Sequence, residues 1–222
     1  MDIANNYKKI FEYVKSIAPD ACIMSVTKQR SENDILQLSE AGADIFGENR
    51  VDEVYQKYVV NGLRKKLPEK TKIYMIGNLQ SRKVRKALEL FDCIMSVSSL
   101  SLAQEIDKRA QQLGKIMDIC LEINISEEPQ KIGFNLSEIY SAFEQIIAMK
   151  NINVIGLMCM TPYLAEEAEL HKIFSTAADI RNKLQDKFRK ILPILSMGMS
   201  QDYKIALQHG SNMLRIGSLL FE

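Results

Sequence analysis

The sequence lacks both an excess of charge of one sign and a long uncharged run. Its 222 residues include 29 basic and 28 acidic side chains, which leaves a formal net charge of +1. Proteins that bind nucleic acid through many phosphate contacts carry a marked positive excess. The longest uncharged run, residues 151–165, contains asparagine, glycine and proline, and it is shorter than the roughly 20 apolar residues that span a bilayer. We therefore expect neither a nucleic acid nor a membrane as a partner.

The sequence also lacks paired cysteines and a secretory leader. Four cysteines, Cys22, Cys93, Cys120 and Cys159, lie far apart in apolar segments without a C-x-x-C pair. This spacing favours packed, reduced thiols over disulfides or metal ligands. The N-terminal segment MDIANNYKKIFEYVK is acidic at its second residue and amphipathic, unlike the basic start and apolar core of a signal peptide. Together these features predict a cytoplasmic protein.

Eight short, apolar, β-prone segments are present, and helical patterns separate them. Successive segments start about 27 residues apart, which suits one strand and one helix per unit. An amphipathic pattern within residues 1–18 predicts one more helix, ahead of the first strand. The predicted strands are Cys22–Val26, Asp44–Phe46, Ile73–Ile76, Cys93–Val97, Ile119–Ile123, Val154–Met158, Ile191–Leu195 and Met213–Ile216.

Regular alternation of strand and helix predicts a parallel sheet, and eight units are the number that close into a (β/α)8 TIM barrel. With 46% apolar residues, the chain can bury a sizeable core, and we expect residues 1–222 to form a single domain. An open doubly wound sheet is the alternative. No G-x-G-x-x-G turn follows the first strand, so the dinucleotide site typical of many such sheets is not indicated.

In TIM barrels the active face lies at the carboxyl ends of the strands, and the loops after strands seven and eight often bind phosphate. The predicted strand seven leads into SMGMS, residues 196–200, and strand eight leads into RIGS, residues 215–218. Both segments combine glycine with a hydroxyl side chain, which suits an anion cradled by backbone N–H groups. Each could equally be an ordinary turn. Their joint occurrence at these two places favours a phosphorylated ligand.

Lys28 follows the first strand, and barrel closure would bring it beside the strand-eight loop. A lysine whose amine is desolvated or lies near other cations can lose its proton and form a Schiff base with a carbonyl compound. A solvated lysine that opens the loop KQRSEND is the alternative. Arg215 lies among apolar residues of strand eight and is therefore expected to pair with a polar group.

Seven segments of the chain are, in order, SVTK, FGENR, IGNLQSRK, EINISEEPQKIGF, GLMCM, LSMGMSQDYKIAL and GSNMLRIGSLLF. They resemble the YggS/PROSC family of pyridoxal 5′-phosphate homeostasis proteins, in the same order and over nearly the whole chain. The resemblance implies the barrel of the alanine racemase N-terminal domain, a fold-type III pyridoxal phosphate barrel. It also implies covalent binding of the cofactor without established turnover.

The resemblance also implies roles for individual residues. Lys28 matches the lysine that forms the aldimine, and Arg215 matches the arginine that faces the pyridine nitrogen. Ser200, Gly217 and Ser218 match phosphate-binding positions, and Asn49 matches a residue near the cofactor.

The chain departs from the family pattern at several positions. Tyr74 and Met75 replace histidine and phenylalanine, Asn78 replaces proline, and Asn212 and Ser218 replace threonine. Because Ser218 keeps the hydroxyl group, we expect the phosphate site to persist. We therefore expect this chain to lack any function that depends on a histidine at position 74.

Three functions follow from these observations. The first is a carrier that takes part in intracellular pyridoxal phosphate homeostasis, with cofactor-dependent apoenzymes as recipients; we expect it to be a monomer. The second is a weak amino-acid racemase. In alanine racemase a separate domain, which is not expected here, supplies the second base. A tyrosine of this chain, such as Tyr163, would have to act as that base. The third is a barrel enzyme that acts on a phosphorylated metabolite.

Overall fold

The computed structural model describes residues 2–126, 132–162 and 164–222. Within these ranges eight parallel strands form a closed barrel and follow one another around it in chain order. The first and last strands pair in parallel and complete the barrel. The predicted eight-stranded barrel is confirmed, and the open sheet is wrong. The strands are β1 (Cys22–Val26), β2 (Ile45–Glu48), β3 (Lys72–Met75), β4 (Cys93–Val97), β5 (Met117–Ile123), β6 (Ile152–Cys159), β7 (Ile194–Met199) and β8 (Met213–Ile216).

Helices cover the outside of the barrel, and the predicted extra helix precedes β1. None of the helices in the described ranges is both long enough and apolar enough to cross a membrane. A π-helix, residues Tyr55–Val60, continues directly from α3, and 3-10 turns precede α5 and follow β8. The α-helices are α1 (Ile3–Ile17), α2 (Glu32–Glu40), α3 (Val51–Val54), α4 (Leu63–Lys66), α5 (Val84–Leu90), α6 (Leu100–Gln112), α7 (Ile139–Ile147), α8 (Glu167–Phe188) and α9 (Tyr203–Gln208).

The N-terminal helix α1 forms because apolar residues recur at helical spacing. Ile3, Tyr7, Ile10 and Val14 are buried, and α1 packs against α2. Phe11, which shares the apolar pattern, is 40% exposed. It lies at the edge of the buried face, where it stacks on the ring of Tyr7.

The apolar side chains form two separate clusters. The larger cluster fills the space between the strands and the surrounding helices. A smaller cluster is formed by strand residues, and methionine, whose flexible side chain fills irregular space, contributes four of its members. This smaller cluster consists of Met24, Cys93, Met95, Cys120, Met158 and Met213.

Strand β7 lies further along the chain than the sequence predicts. Ile191 is 79% exposed, and Pro193 has no N–H to donate to a neighbouring strand. The strand therefore begins at Ile194 and includes most of the SMGMS segment, so that Ser200 is the first residue beyond it. The prediction that SMGMS is a loop is wrong for residues 196–199.

Candidate functional site

The carboxyl end of the barrel brings together residues that are distant in the sequence. Lys28 lies two positions beyond β1, Asn49 directly follows β2, Ser200 follows β7 and Gly217 follows β8. Because β1 and β8 are neighbours, the chain leading to Lys28 runs beside the chain leading to Gly217. A Cβ atom on Gly217 would lie 3.5 Å from the Cβ of Val26. The predicted lysine and one predicted phosphate loop therefore share one part of the rim.

Lys28 occupies a tight turn. The carbonyl of Thr27 accepts a hydrogen bond of 3.1 Å from the N–H of Arg30, which makes Lys28 and Gln29 the two central residues. Gln29 has φ of 60°, and this left-handed conformation costs a non-glycine residue about 1 kcal/mol or more. The side chain of Lys28 is exposed. The turn thus presents an amine at the rim on a strained backbone.

The loops after β7 and β8 are joined through one hydroxyl group. The Oγ of Ser200 accepts hydrogen bonds from the backbone N–H of Gly217 at 3.2 Å and of Leu219 at 3.4 Å. The O–H of Ser200 itself remains a donor for a ligand. Ser218 is exposed between these two N–H groups, at the start of a 3-10 turn. Two hydroxyl groups that can donate to an anion therefore lie on adjacent loops.

Gly198 is the glycine of the SMGMS segment, which the sequence analysis expected to leave room for an anion. In the structure it leaves room for a helix instead. Its φ is 93°, and an added Cβ would lie 2.6 Å from the Cβ of Ala206 in α9. The absence of a side chain at this position therefore allows α9 to pack against the end of β7.

An aspartate in the next turn fixes the end of β7. The Oδ1 of Asp202 accepts a hydrogen bond of 2.5 Å from the N–H of Met199. Its Oδ2 accepts one of 2.6 Å from the hydroxyl of Thr161, just beyond β6. These bonds tie the ends of β6 and β7 together and hold the segment that carries Ser200.

Arg215 is 4% exposed, and it pairs with polar groups as expected for a buried cation. Its Nη1 donates to the carbonyl oxygen and to the Oγ of Ser196, each at 2.9 Å, and its Nη2 donates to the carbonyl of Cys159 at 2.8 Å. Burial lowers the pKa of the guanidinium, an effect opposed by nearby groups that include Glu122. Arg215 is therefore held rigidly across β6, β7 and β8.

Glu122 on β5 was missed by the sequence interpretation. Burial raises its pKa to about 7, although the charge of Arg215 acts in the opposite direction. The carboxyl group lines a cavity of about 320 Å³. Other residues lining this cavity are Asn49, Ile76, Asn78, Ile123, Asn124, Ile132, Met160 and Thr161. A carboxyl group that titrates near neutral pH can accept or donate a proton at this side of the mouth.

Glu48, the last residue of β2, was also missed, although it directly precedes Asn49. It is fully buried, and its position within an otherwise apolar strand is a signal that the sequence contained. Asn49 itself is half-buried. It lines both the cavity beside Glu122 and a neighbouring cavity of about 470 Å³.

The departures from the family pattern fall in two environments. Tyr74 is half-buried and packs against the methionine-rich cluster, where burial raises the pKa of its hydroxyl group. Asn78 is exposed and lines both cavities.

Tyr163, the suggested second base of a racemase, lies outside the described residues. In the described parts of the chain, no group of three or more suitable side chains could bind a metal ion.

Comparison with known proteins shows which proteins this chain is similar to. The family model for the alanine racemase N-terminal domain matches residues 2–222. A relative from Aquifex aeolicus, a pyridoxal phosphate homeostasis protein, is 33% identical over 201 residues, which cover 90% of this chain and 86% of the relative. A pyridoxal phosphate homeostasis protein from Helicobacter pylori strain 26695 is 35% identical over 202 residues, with coverage of 90% and 86%.

Solved structures share the barrel fold. PipY of Synechococcus elongatus, solved with pyridoxal phosphate bound, is 30% identical, has a TM-score of 0.89 and is matched over 99% of this chain and 100% of its own. Alanine racemase of Clostridium difficile in complex with cycloserine is 18% identical, with a TM-score of 0.80 over 98% of this chain and 59% of its own. At that identity the racemase shows a shared fold alone.

Proposed function

Since the chain belongs to the family of pyridoxal phosphate homeostasis proteins, we propose that it binds pyridoxal 5′-phosphate and acts as an intracellular carrier of this cofactor. The observation that carries the proposal is the pairing of β1 with β8, which places Val26, two residues before Lys28, against Gly217. The amine of Lys28 and the proposed anion site then follow neighbouring strands. A cofactor with an aldehyde at one position and a phosphate at another requires this combination.

The side chains present fit the proposed cofactor. The hydroxyl groups of Ser200 and Ser218 would donate to the phosphate, and Gly217 leaves space beside them. Arg215 would donate to the ring nitrogen, and Asn49 would lie near the ring. These roles are supported by the positions of the residues around one rim, and the binding of pyridoxal phosphate as such is supported by the PipY structure, which was solved with this cofactor.

Pyridoxal phosphate supplies an aldehyde that condenses reversibly with a primary amine. Lys28 is the amine that the turn after β1 presents at the rim, and we propose that it forms this bond. Arg215 always carries a proton and can only donate, so the ring nitrogen beside it would accept a hydrogen bond. This weakens the electron withdrawal on which most enzymes of this cofactor depend. We therefore propose retention and release of the cofactor as the main function, with residues 1–222 acting as one cofactor-binding domain.

Weak racemase activity is the second candidate, and Glu122 is the observation that favours it. A racemase needs groups that gain and lose protons near neutral pH, and the pKa of Glu122 is about 7. Incubation of the loaded protein with L-alanine in deuterated water tests this function. Exchange at Cα that is faster than with free cofactor and is lost in Glu122→Gln would establish the activity. Exchange no faster than with free cofactor leaves the carrier function alone.

The recipients and the state of the protein in solution are further proposals. We propose that it is a cytoplasmic monomer that passes its cofactor to apoenzymes dependent on pyridoxal phosphate. Incubation of the loaded protein with such an apoenzyme should restore the activity of the apoenzyme, and the protein should elute from a sizing column at the volume of a monomer.

The central experiment combines a visible spectrum with chemical trapping. After incubation with pyridoxal phosphate and removal of the unbound cofactor, the protein should absorb in the visible range, and borohydride should fix the label on the peptide that contains Lys28. Lys28→Ala should remain colourless, whereas Lys115→Ala, which alters a lysine at the opposite end of the barrel, should behave as the unaltered protein. A label on another lysine would contradict the assignment. Absence of colour and label would instead favour an enzyme that acts on a phosphorylated metabolite.

A further inference from the structure

A buried polar cluster lies directly behind the turn that contains Lys28. Its centre is Glu48, which is fully buried. The Oε1 of Glu48 accepts hydrogen bonds from the hydroxyl of Thr27 at 3.0 Å, from the Nζ of Lys57 at 3.3 Å and from the hydroxyl of Tyr58 at 3.5 Å. We call these four residues, Thr27, Glu48, Lys57 and Tyr58, the Glu48 cluster.

The Glu48 cluster holds Thr27 at both its side chain and its backbone. Besides the bond from its hydroxyl to Glu48, the carbonyl of Thr27 accepts a hydrogen bond of 3.3 Å from the Nζ of Lys57. The same carbonyl accepts the bond from the N–H of Arg30 that closes the turn. Thr27 therefore connects the buried ion pair to the turn, and Lys28 is the next residue.

Burial makes this arrangement costly for folding. An ion pair removed from water gains less from mutual attraction than the two charges lose in hydration, unless further hydrogen bonds satisfy both groups. The Oε2 of Glu48 has no hydrogen-bond partner within the described residues, and burial raises the pKa of Glu48 although Lys57 and Thr27 lower it. Packing alone would favour apolar side chains here, which indicates that the charges serve another purpose.

The helix that carries Lys57 and the end of the turn support the same interpretation. Residues Tyr55–Val60 form a π-helix, a rare conformation that is frequent at functional sites. Beyond Lys28, the guanidinium of Arg30 lies 4.0 Å from the centre of the Phe221 ring. The strained Gln29 is thus held between two anchored residues, and strain of this kind persists only where the surroundings enforce it.

We propose that Glu48 and Lys57 are positioning residues, and that their buried ion pair fixes Thr27 so that the turn presents the amine of Lys28 to the cofactor. This inference rests on the proposed role of Lys28. A reactive group gains rate when supporting side chains hold it in the productive geometry. Neither Glu48 nor Lys57 is required to touch the cofactor.

The test uses Thr27→Val, which keeps the shape of the side chain and removes the hydroxyl bond to Glu48. We expect the association rate of pyridoxal phosphate, followed by absorbance, to fall about tenfold, which corresponds to ~1.4 kcal/mol. Thr27→Ser, which keeps the hydroxyl, should restore most of the rate. Thr71→Val is the matched control, because the hydroxyl of Thr71 is also buried but has no hydrogen-bond partner in the described residues.

A second measurement needs no cofactor. Hydrogen exchange of the Arg30 amide, which bonds to the Thr27 carbonyl, should be at least about tenfold faster in Thr27→Val and in Lys57→Met, because the turn opens more readily. It should be unchanged in Thr71→Val. Unchanged exchange together with an unchanged association rate, at a lower melting temperature, would show that the cluster serves stability only and would overturn the proposal.

These two measurements separate this inference from the proposed function. If the unaltered protein takes up no pyridoxal phosphate on Lys28, the proposed function fails, while the exchange of Arg30 still reports whether the cluster holds the turn. If the cofactor binds and Thr27→Val binds it at the original rate, only the positioning role fails. Thr27→Val introduces no charge, so the test does not depend on a variant of Glu48 that fails to fold.

Discussion

The two halves of the barrel mouth differ in how their polar groups are used. The half formed by β7, β8 and β1 is closely bonded: Ser200 joins two loops, and Arg215 on β8 bonds to β7 and, across the boundary between the halves, to the last residue of β6. The half formed by β2, β3, β5 and β6 surrounds a cavity. There Asn49, Asn78 and Glu122 make no side-chain hydrogen bond to other described residues.

This difference indicates a division of labour. Polar groups that are already fixed lose little conformational entropy on binding, so the bonded half suits one ligand that is always the same. Polar side chains without partners can adapt to several molecules, or can take part in proton transfer. We infer that the cofactor is anchored by the first half, and that the molecule with which it exchanges approaches through the second.

The largest expected effect comes from breaking the bonded half at Gly198. The Cβ in Gly198→Ala would lie 2.6 Å from the Cβ of Ala206 at a φ of 93°. Overpacking and a left-handed alanine together should lower the free energy of unfolding by about 3 kcal/mol. Urea denaturation measures this loss. Gly210→Ala is the control, since Gly210 has φ of 78° and open space around it, and it should cost only about 1 kcal/mol.

The second prediction concerns the open half and the titration of Glu122. Its pKa is about 7 in the folded protein, compared with roughly 4.3 for an unfolded glutamate. Between these two values the folded state binds more protons than the unfolded state, so this group makes stability decrease as the pH rises. Between pH 4.5 and pH 7.5 the decrease should be at most about 3 kcal/mol, because the limiting slope of 1.36 kcal/mol for each pH unit is reached only well between the two pKa values.

Glu122→Gln removes this contribution. Denaturation midpoints recorded from pH 4.5 to pH 7.5 should fall less steeply in the variant than in the original protein, because glutamine does not titrate. Glu48, whose pKa is also raised, contributes a slope of the same sign to both proteins and cancels in the comparison. Parallel curves would mean that folding does not raise the pKa of Glu122.

The smallest expected effect is a difference between the halves in their response to added charge. Ser218→Glu places a negative charge beside the proposed phosphate and should weaken cofactor binding about tenfold, or ~1.4 kcal/mol, because two anions then face each other. Ser81→Glu adds the same charge to the 3-10 turn after β3, on the other half. Fluorescence titration should show little change for Ser81→Glu. Equal losses in both variants would indicate that the phosphate binds elsewhere.

The sequence was sufficient for the architecture because strands buried on both faces form continuous apolar runs. The segments at Cys22–Val26, Cys93–Val97 and Met213–Ile216 were predicted with their observed bounds. The error at β7 has a physical cause: Ile191 is apolar but exposed, and the strand begins only after Pro193. Hydrophobicity alone does not distinguish an exposed isoleucine from a buried one.

The candidate site was predictable only in part. Lys28, Ser200 and Gly217 were found because they follow strands, and their roles remain predictions. Glu122 and the Glu48 cluster were missed because their significance depends on contacts between distant segments. Thr27 and Lys57 are 30 residues apart, and no periodicity in the sequence indicates that one would bond to the other.

The π-helix at Tyr55–Val60 makes the length of this segment critical. A π-helix holds one residue more than an α-helix of the same number of turns, and each residue of an α-helix advances by about 100° around its axis. Deletion of Gln56 would let the segment relax to a regular α-helix and would rotate Lys57 away from Glu48. Apart from Lys57 and Tyr58, whose side chains bond to Glu48, this segment should therefore tolerate a change of residue type better than a change in the number of residues.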